Sequence, residues 1–345
     1  MPDRRLSLLA LLTFIVACRA GKPDMPFTAS NPFAAASPLL YQAPPFDKIR
    51  NEDYEPALEE GMRVQIAEVE RIAADSSAPT FANTVVALEK TGQLLTRVSN
   101  VFQAITQANT NDTLQRVQSA IAPKLAAHAD AIHMNAALFA RIKALHDART
   151  ALGLDSVETF LVERYYKDFV RAGALLSDAD KANLRALNEE ESKLTTDFQN
   201  RLLAATKAGG LVISARAELA GLSDADVAAA ADAAKARGLE GKWVLPLQNT
   251  TQQPYQADLA DRSVRERLFR ASTGRTERED SNDTRAIIVR LAELRAERAR
   301  LLGFPNLAAY TLDDQMAKTP ERAIKLLTDL VPAITKKAAG EAGAM

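Results

Sequence analysis

A chain of 345 residues, 25% charged and 47% apolar, can bury a sizeable core in one large domain or two ordinary ones, as soluble globular proteins do. Its formal net charge of −1 gives no electrostatic reason to expect nucleic acid as a partner. The single cysteine, Cys18, excludes an intramolecular disulfide and a thiolate metal cage.

Arg4 and Arg5 precede the apolar run from Leu6 to Val16, which is about half the length needed to cross a bilayer as a helix. Positive charges followed by a short apolar run predict a secretory signal over residues 1–17. Its end, Ile15-Val16-Ala17-Cys18, resembles the lipobox of bacterial lipoproteins. That resemblance implies cleavage before Cys18 and a lipid anchor on its thiol, with the protein held on a membrane of the cell envelope and facing the periplasm. An ordinary signal peptide with an incidental cysteine is the competing reading. Residues 18–45 contain Pro23, Pro26, Pro32, Pro38, Pro44 and Pro45, which predict a tether or draped arm and no packed element. Leu39, Leu40, Tyr41 and Phe46 stand where they could pin its end to the body.

Residues 46–345 read as a helical array. Phe81, Val85, Leu88, Leu95, Val98, Phe102 and Ile105 predict one long helix from near Thr80. Ser177-Asp178-Ala179-Asp180 is a helix-start signal, followed by the seam Leu184, Leu187, Leu194, Phe198 and Leu202 and by a stop at Gly209-Gly210. Ser223 opens an Ala-rich helix that closes at Gly238. Asp283 or a close neighbour caps a helix carrying Ile287, Leu291, Leu294 and Leu301. Thr319-Pro320-Glu321 starts a last helix with Ile324, Leu327, Leu330 and Ile334 on one side, and residues 338–345 lose the pattern. Only Leu211-Val212-Ile213 and Trp243-Val244-Leu245 read as extended, which predicts a minor β-hairpin-like element near 211–247. The fold class is all-α, a multi-helix array.

The residues show no complete catalytic constellation. Two histidines four apart on a helix can share one metal ion, but His128 and His133 are five apart, roughly 140° around the axis, and His146 stands alone. Neither a G-x-S-x-G turn nor a Gly-rich phosphate loop occurs. Glu189-Glu190-Glu191 reads as a solvated helix face, except that Glu191 falls on the Leu187–Leu194 seam. The stretch from Arg285 to Arg300, interrupted by Glu293 and Glu297, reads as an exposed ion-laced helix.

Several segments follow one another in a familiar order. They are Asn51-Glu52-Asp53-Tyr54-Glu55-Pro56-Ala57, Ala78-Pro79-Thr80-Phe81-Ala82-Asn83-Thr84, Ala122-Pro123-Lys124-Leu125 with His128 and Asp130, and Ala137-Leu138-Phe139-Ala140-Arg141. Asn249-Thr250-Thr251-Gln252-Gln253-Pro254, Asn282-Asp283-Thr284-Arg285, Leu301-Leu302-Gly303-Phe304 and Asp314-Gln315-Met316-Ala317-Lys318-Thr319-Pro320 follow. From about Asn31 onward the chain thereby resembles the thimet-oligopeptidase-like family of zinc metallopeptidases, in its bacterial dipeptidyl carboxypeptidase branch.

The resemblance implies an almost wholly helical, two-lobed body around a deep channel, with these residues forming one wall. Intact members bind zinc through an H-E-x-x-H helix and a further glutamate, and remove dipeptides from the C-termini of short peptides. Nothing in this sequence matches that motif, so no catalytic or metal-binding residue is carried over and no bound zinc is expected in this chain. The expectation is a truncated member, inactive alone. The alternatives are one half of a split peptidase completed by another chain, and a peptide-binding lipoprotein without catalysis. Thr250, Thr251, Gln252 and Gln253 are the candidates for a channel-wall loop, with a structural turn as the competing role. An apolar face is expected to stand uncovered after about Asp283, leading to self-association or to docking of a complementary half.

Overall fold

Tyr54, Ala57, Leu58 and Met62 recur at helical spacing and bury one side of helix α1 (Tyr54–Ala73) in a computed structural model that describes residues 26–344. The predicted signal segment and Cys18 lie outside the described residues. Helix α3 (Gln93–Ala108) lays Val98, Val101 and Phe102 against that face, and α4 (Asp112–His133) adds Leu114, Val117 and Ile121. Gly61 permits the close crossing of α1 and α3, since a Cβ there would sit 2.8 Å from the Leu95 Cα.

Within the described part of the proline-rich segment, Asn31 and Phe33 are buried against the body while most of their neighbours are exposed. Phe33 is 2% exposed, with its ring 5.5 Å from Tyr54, which in turn lies 5.2 Å from Phe102. Asn31 Nδ2 donates to the Asp53 carbonyl at 3.0 Å, and Asn31 Oδ1 accepts from the Phe33 amide at 2.9 Å. Arg97 donates to the Phe33 carbonyl at 2.9 Å. Side chains here satisfy backbone groups that the surrounding prolines keep out of any ladder. Leu39, Leu40 and Tyr41 are exposed, Tyr41 93% so, while Phe46 borders a cleft that Ile49, Tyr54 and Leu114 also line.

The long helix expected from Thr80 is two pieces. Thr80 does cap it, its Oγ1 accepting from the Asn83 amide at 3.0 Å while Asn83 Oδ1 accepts from the Thr80 amide at 2.7 Å. A π-helical segment, Phe81–Val86, runs into the short α2 (Ala87–Glu89) and stops. Gly92 then turns through φ 70°, with its amide held by the Glu68 carboxylate at 2.8 Å, before α3 begins. The break sends the apolar residues to three cores, with Leu88 joining Val69 and Leu138. Val85 packs with Leu145 and Val162, whereas Val98 and Phe102 join α1 and α4.

Helices α5 (Ala136–Ala148) and α6 (Ser156–Arg171) enclose Leu138, Phe139, Ile142 and Phe169. Ser177 caps α7 (Asp178–Ala208) as expected, accepting from the Asp180 amide at 3.1 Å. Helix α4 and α11 (Arg285–Leu301) both pack along α7.

Past Gly209, strand β1 (Gly210–Ile213) pairs antiparallel with β2 (Trp243–Pro246), placing Leu211 opposite Leu245 and Val212 opposite Val244. The expected pairing is present, but the chain between the strands carries α8 (Asp224–Lys235), capped by Ser223, so it is not a hairpin in the strict sense. With α9 (Asn249–Asp258) and α10 (Arg262–Thr273), the strands bury Ile213, Leu245, Leu247, Tyr255 and Leu268 in a core of their own. Helices α12 (Leu307–Leu312) and α13 (Pro320–Ala344) follow α11. Residues 338–344 lose the apolar period yet stay helical, with four alanines and Glu341 favouring helix without burial against Gly340 and Gly343.

Candidate functional site

The three histidines occupy three unrelated settings. His128 Nε2 meets Gln65 Oε1 at 2.8 Å between α4 and α1, and burial, aided by the neighbouring His133, pushes its imidazole pKa down. His133 Nδ1 donates to the Ala129 carbonyl at 2.8 Å, and its ring lies 5.1 Å from Phe169. His146 stacks on Tyr166 at 3.8 Å. Among the described residues no three His, Cys, Asp or Glu side chains gather as a metal site, and the zinc implied by the resemblance finds no fitting donor set in them. Among the same residues no helix is long and apolar enough to cross a membrane.

Thr250, Thr251, Gln252 and Gln253 do not form a loop. They lie in the first two turns of α9, with Thr250 and Gln253 exposed, Thr251 half-buried and Gln252 buried. Gln252 Oε1 accepts from Ser272 Oγ at 3.1 Å. Arg275 donates to the same Ser272 Oγ at 3.0 Å, to Thr206 Oγ1 at 3.2 Å and to the Leu247 carbonyl at 3.3 Å. Gln252 thus belongs to a network that ties α7, the end of β2, α9 and α10 together. Gln252 and Tyr255, three apart, are drawn into the local core, and that burial makes helix of a run whose composition predicts a turn.

Glu190 and Glu191 on α7 clasp α11, so that of the acidic run only Glu189 keeps to the reading as a solvated face. Glu190 receives two hydrogen bonds from Arg290 at 2.7 and 2.9 Å, and these hold its carboxyl below the usual range. Glu191, which sequence placed on the apolar seam, accepts from Arg295 at 2.8 Å and also from Arg298. Only Glu189 faces along its own helix, to Lys193. The Arg285–Arg300 helix is therefore laced to α7 as well as to itself, while Ile287, Leu291 and Leu294 are buried beneath the ion pairs. Asp130, in one of the quoted segments, has a similar role. It is buried and accepts from Asn188 of α7 at 2.8 Å, and burial raises its carboxyl pKa.

A second ionic joint holds α12 and was not foreseen. Arg164 reaches Asp314 at 2.8 Å, Lys167 reaches Asp313 at 3.1 Å and Asp314 at 3.2 Å, and Arg171 reaches Asp313 at 3.0 Å. Burial alone would raise the Asp314 carboxyl pKa. The Lys167 hydrogen bond and the charges of Arg164 and Lys167 outweigh it and hold the group below its usual range. The Arg171 guanidinium also lies 4.4 Å from the centre of the Tyr310 ring. The signal in the sequence was the basic face of α6 at positions 164, 167 and 171, spaced i, i+3, i+7.

From this joint the chain leaves the body. Lys318 turns through φ 65°, Thr319 Oγ1 accepts from the Arg322 amide at 3.3 Å, and Pro320 takes the first helical position of α13. Every residue from Ile324 to Ala344 is exposed. The expected uncovered face is present, with Leu327 64%, Leu330 47% and Ile334 60% exposed and with Ile324 and Val331 beside them. The buried stripe of α11 is not part of it. No reacting group stands near this seam, so what it can do is bind another apolar surface.

Residues 256–345, which include α11, the acidic side of the joint and the seam, match a family model described as peptidase family M3. Over 314 residues the chain is 51% identical to dipeptidyl carboxypeptidase of Escherichia coli K12, covering 91% of this chain and 46% of that protein. It is 48% identical over 313 residues to dipeptidyl carboxypeptidase of Salmonella typhimurium, with the same coverage of 91% and 46%. Oligopeptidase A of E. coli is 26% identical over 300 residues, 85% of this chain and 44% of that protein. The chain spans about half the length of the curated relatives it matches.

Proposed function

We propose that the chain is a member of peptidase family M3 and supplies the helical channel-wall portion of a dipeptidyl carboxypeptidase acting on short peptides. M3 peptidases are zinc metallopeptidases, and the histidines of the described residues are committed elsewhere, so the catalytic centre is assigned to the remainder of the family fold. The observation that carries this reading is the bare seam of α13, within the very residues that match the family model. A helix keeps an apolar stripe of this kind when something packs on it, and the remainder of an M3 peptidase is the proposed occupant. The ionic joint at Asp313 and Asp314 sets the direction in which that seam is presented.

The chain alone is expected to release no dipeptide from blocked tripeptides and to hold no stoichiometric zinc. Mixed with the carboxyl-terminal remainder of E. coli dipeptidyl carboxypeptidase, produced as a separate chain, it is expected to form a stable complex that releases dipeptides. Cleavage, or one tightly bound zinc per chain, in the unmixed protein would overturn the assignment.

We propose in addition that Cys18 carries a lipid anchor at the cell envelope, with the body facing the periplasm. The charged start, the apolar run and the position of the only cysteine support this. Wild-type protein is expected in the membrane fraction and lipid-modified, and Cys18→Ser is expected to be released or left unprocessed. Recovery of the wild type wholly in the soluble periplasmic fraction would reject the anchor.

A further inference from the structure

An uncharged cleft of about 410 Å³ opens where the polar faces of α3, α4 and α7 converge. Gln103 and Gln107, four apart on α3, form one side with Thr110, just past the helix end. Gln115 and Gln118 of α4 form the second side, and Gln199 with Asn200 of α7 the third. None of the lining residues carries a charge. Asn200 donates to Ser119 Oγ at 3.1 Å, but the five glutamine amides make no hydrogen bond to another described residue. Thr110 Oγ1 is buried with no hydrogen-bond partner among the described residues.

Helices that converge usually meet through apolar side chains, and α4 does so on its other side with Val117 and Ile121. Five primary amides around one space form a different surface, each offering donors and an acceptor side by side. A peptide main chain presents the same pair of groups once per residue, at about 3.3–3.6 Å intervals when extended. A free carboxylate or ammonium would find no counter-charge among the residues that line this cleft. A volume of this size is that of a small-ligand pocket, yet its lining is mostly polar, with Leu203 the one large apolar side chain.

We infer that the cleft binds the main chain of an extended, uncharged stretch of peptide, reading its N–H and C=O groups and not its side chains. The choice of peptide over another neutral hydrogen-bonding ligand rests on the peptidase reading above. The orphan hydroxyl of Thr110 and the unpaired glutamine amides become satisfied when the stretch is bound.

The test is calorimetric titration of the full chain with an N-acetylated, C-amidated hexapeptide of alternating Ala and Gly. The same peptide with every main-chain nitrogen methylated serves as the control. The unmodified peptide is expected to bind, and the methylated one about tenfold or more weakly, since its donors are gone. Gln107→Ala and Gln199→Ala, both at exposed positions, are expected to weaken binding about tenfold each with unchanged circular dichroism and melting temperature. Equal binding of the two peptides, unchanged binding by both variants, or displacement of the peptide by a neutral oligosaccharide overturns the inference. Absence of any peptide binding overturns it too. The family reading is then untouched, because restored dipeptide release in the mixed protein tests that separately.

Discussion

The simultaneous replacement Leu327→Glu, Leu330→Glu and Ile334→Glu is expected to turn a self-associating protein into a monodisperse monomer, with helix content unchanged. Burying one Leu or Ile side chain completely is worth about 1.5–3 kcal/mol, and these three, with Ile324 and Val331, are about half exposed or more. An apolar patch on the order of several hundred Å² is the result, at the upper end of what a soluble monomer shows. Association driven by it must also overcome an entropic cost of about 4–15 kcal/mol, so the copies are held weakly while the proposed occupant is absent. Three carboxylates on the seam would each have to be desolvated on contact, and an association constant at least about 100-fold lower is expected. The fold should not notice, because every replaced side chain already faces water and Glu is as good a helix former as Leu. Light scattering or sedimentation decides the matter. A wild-type chain that is itself a monodisperse monomer at high concentration would show that the seam has no affinity for apolar surface.

This face was legible in the sequence because it is a local property: period, cap and proline all sit within residues 319–334. The caps at Ser177 and Ser223 were legible for the same reason, each resting on a side chain and an amide three residues apart. The two strands were betrayed by their β-branched and aromatic residues, although their pairing crosses an intervening helix. What local pattern cannot show is a partner from far along the chain. Phe33 sits among prolines that argue against packing, and only the arrival of Tyr54 and Phe102 gives it a place. Phe81 to Ile105 keeps an apolar rhythm across Gly92, and rhythm alone does not say that the two halves face different cores. At Asn249 to Gln253 the polar run and Pro254 argue for a turn, and burial of Gln252 and Tyr255 overrides them. The ionic clasp was half visible. Glu191 lay conspicuously on an apolar seam, while its partners, Arg295 and Arg298, stood over 100 positions away.

The largest loss of stability from a single substitution is expected at Arg141, in one of the segments that carry the family resemblance. Arg141 is 6% exposed and leaves α5 to enter the turn between α1 and the π-helical segment. Its guanidinium donates to the Asp75 carbonyl at 2.6 Å and the Ser77 carbonyl at 3.0 Å, and to Asn83 Oδ1 at 3.0 Å and Thr84 Oγ1 at 3.3 Å. The Asp75 carboxylate, at 3.3 Å, is partly solvated and adds little to this set. Arg141→Met keeps the length and apolar stem but strips four acceptors of a charged donor at once. Hydrogen bonds to a charged group are each worth about 1.5–3 kcal/mol, and relaxation of the turn toward water recovers part of that, so a net loss of about 3–4 kcal/mol is expected. Arg141→Lys should fall between, since an ammonium keeps the charge but cannot fork to acceptors on both sides of the turn. Urea unfolding of the wild type and both variants orders the three. A loss below about 1 kcal/mol for Arg141→Met would mean that the reciprocal cap of Thr80 and Asn83 holds the turn unaided. An equal loss for methionine and lysine would mean that fork geometry, and not charge, is what the turn requires.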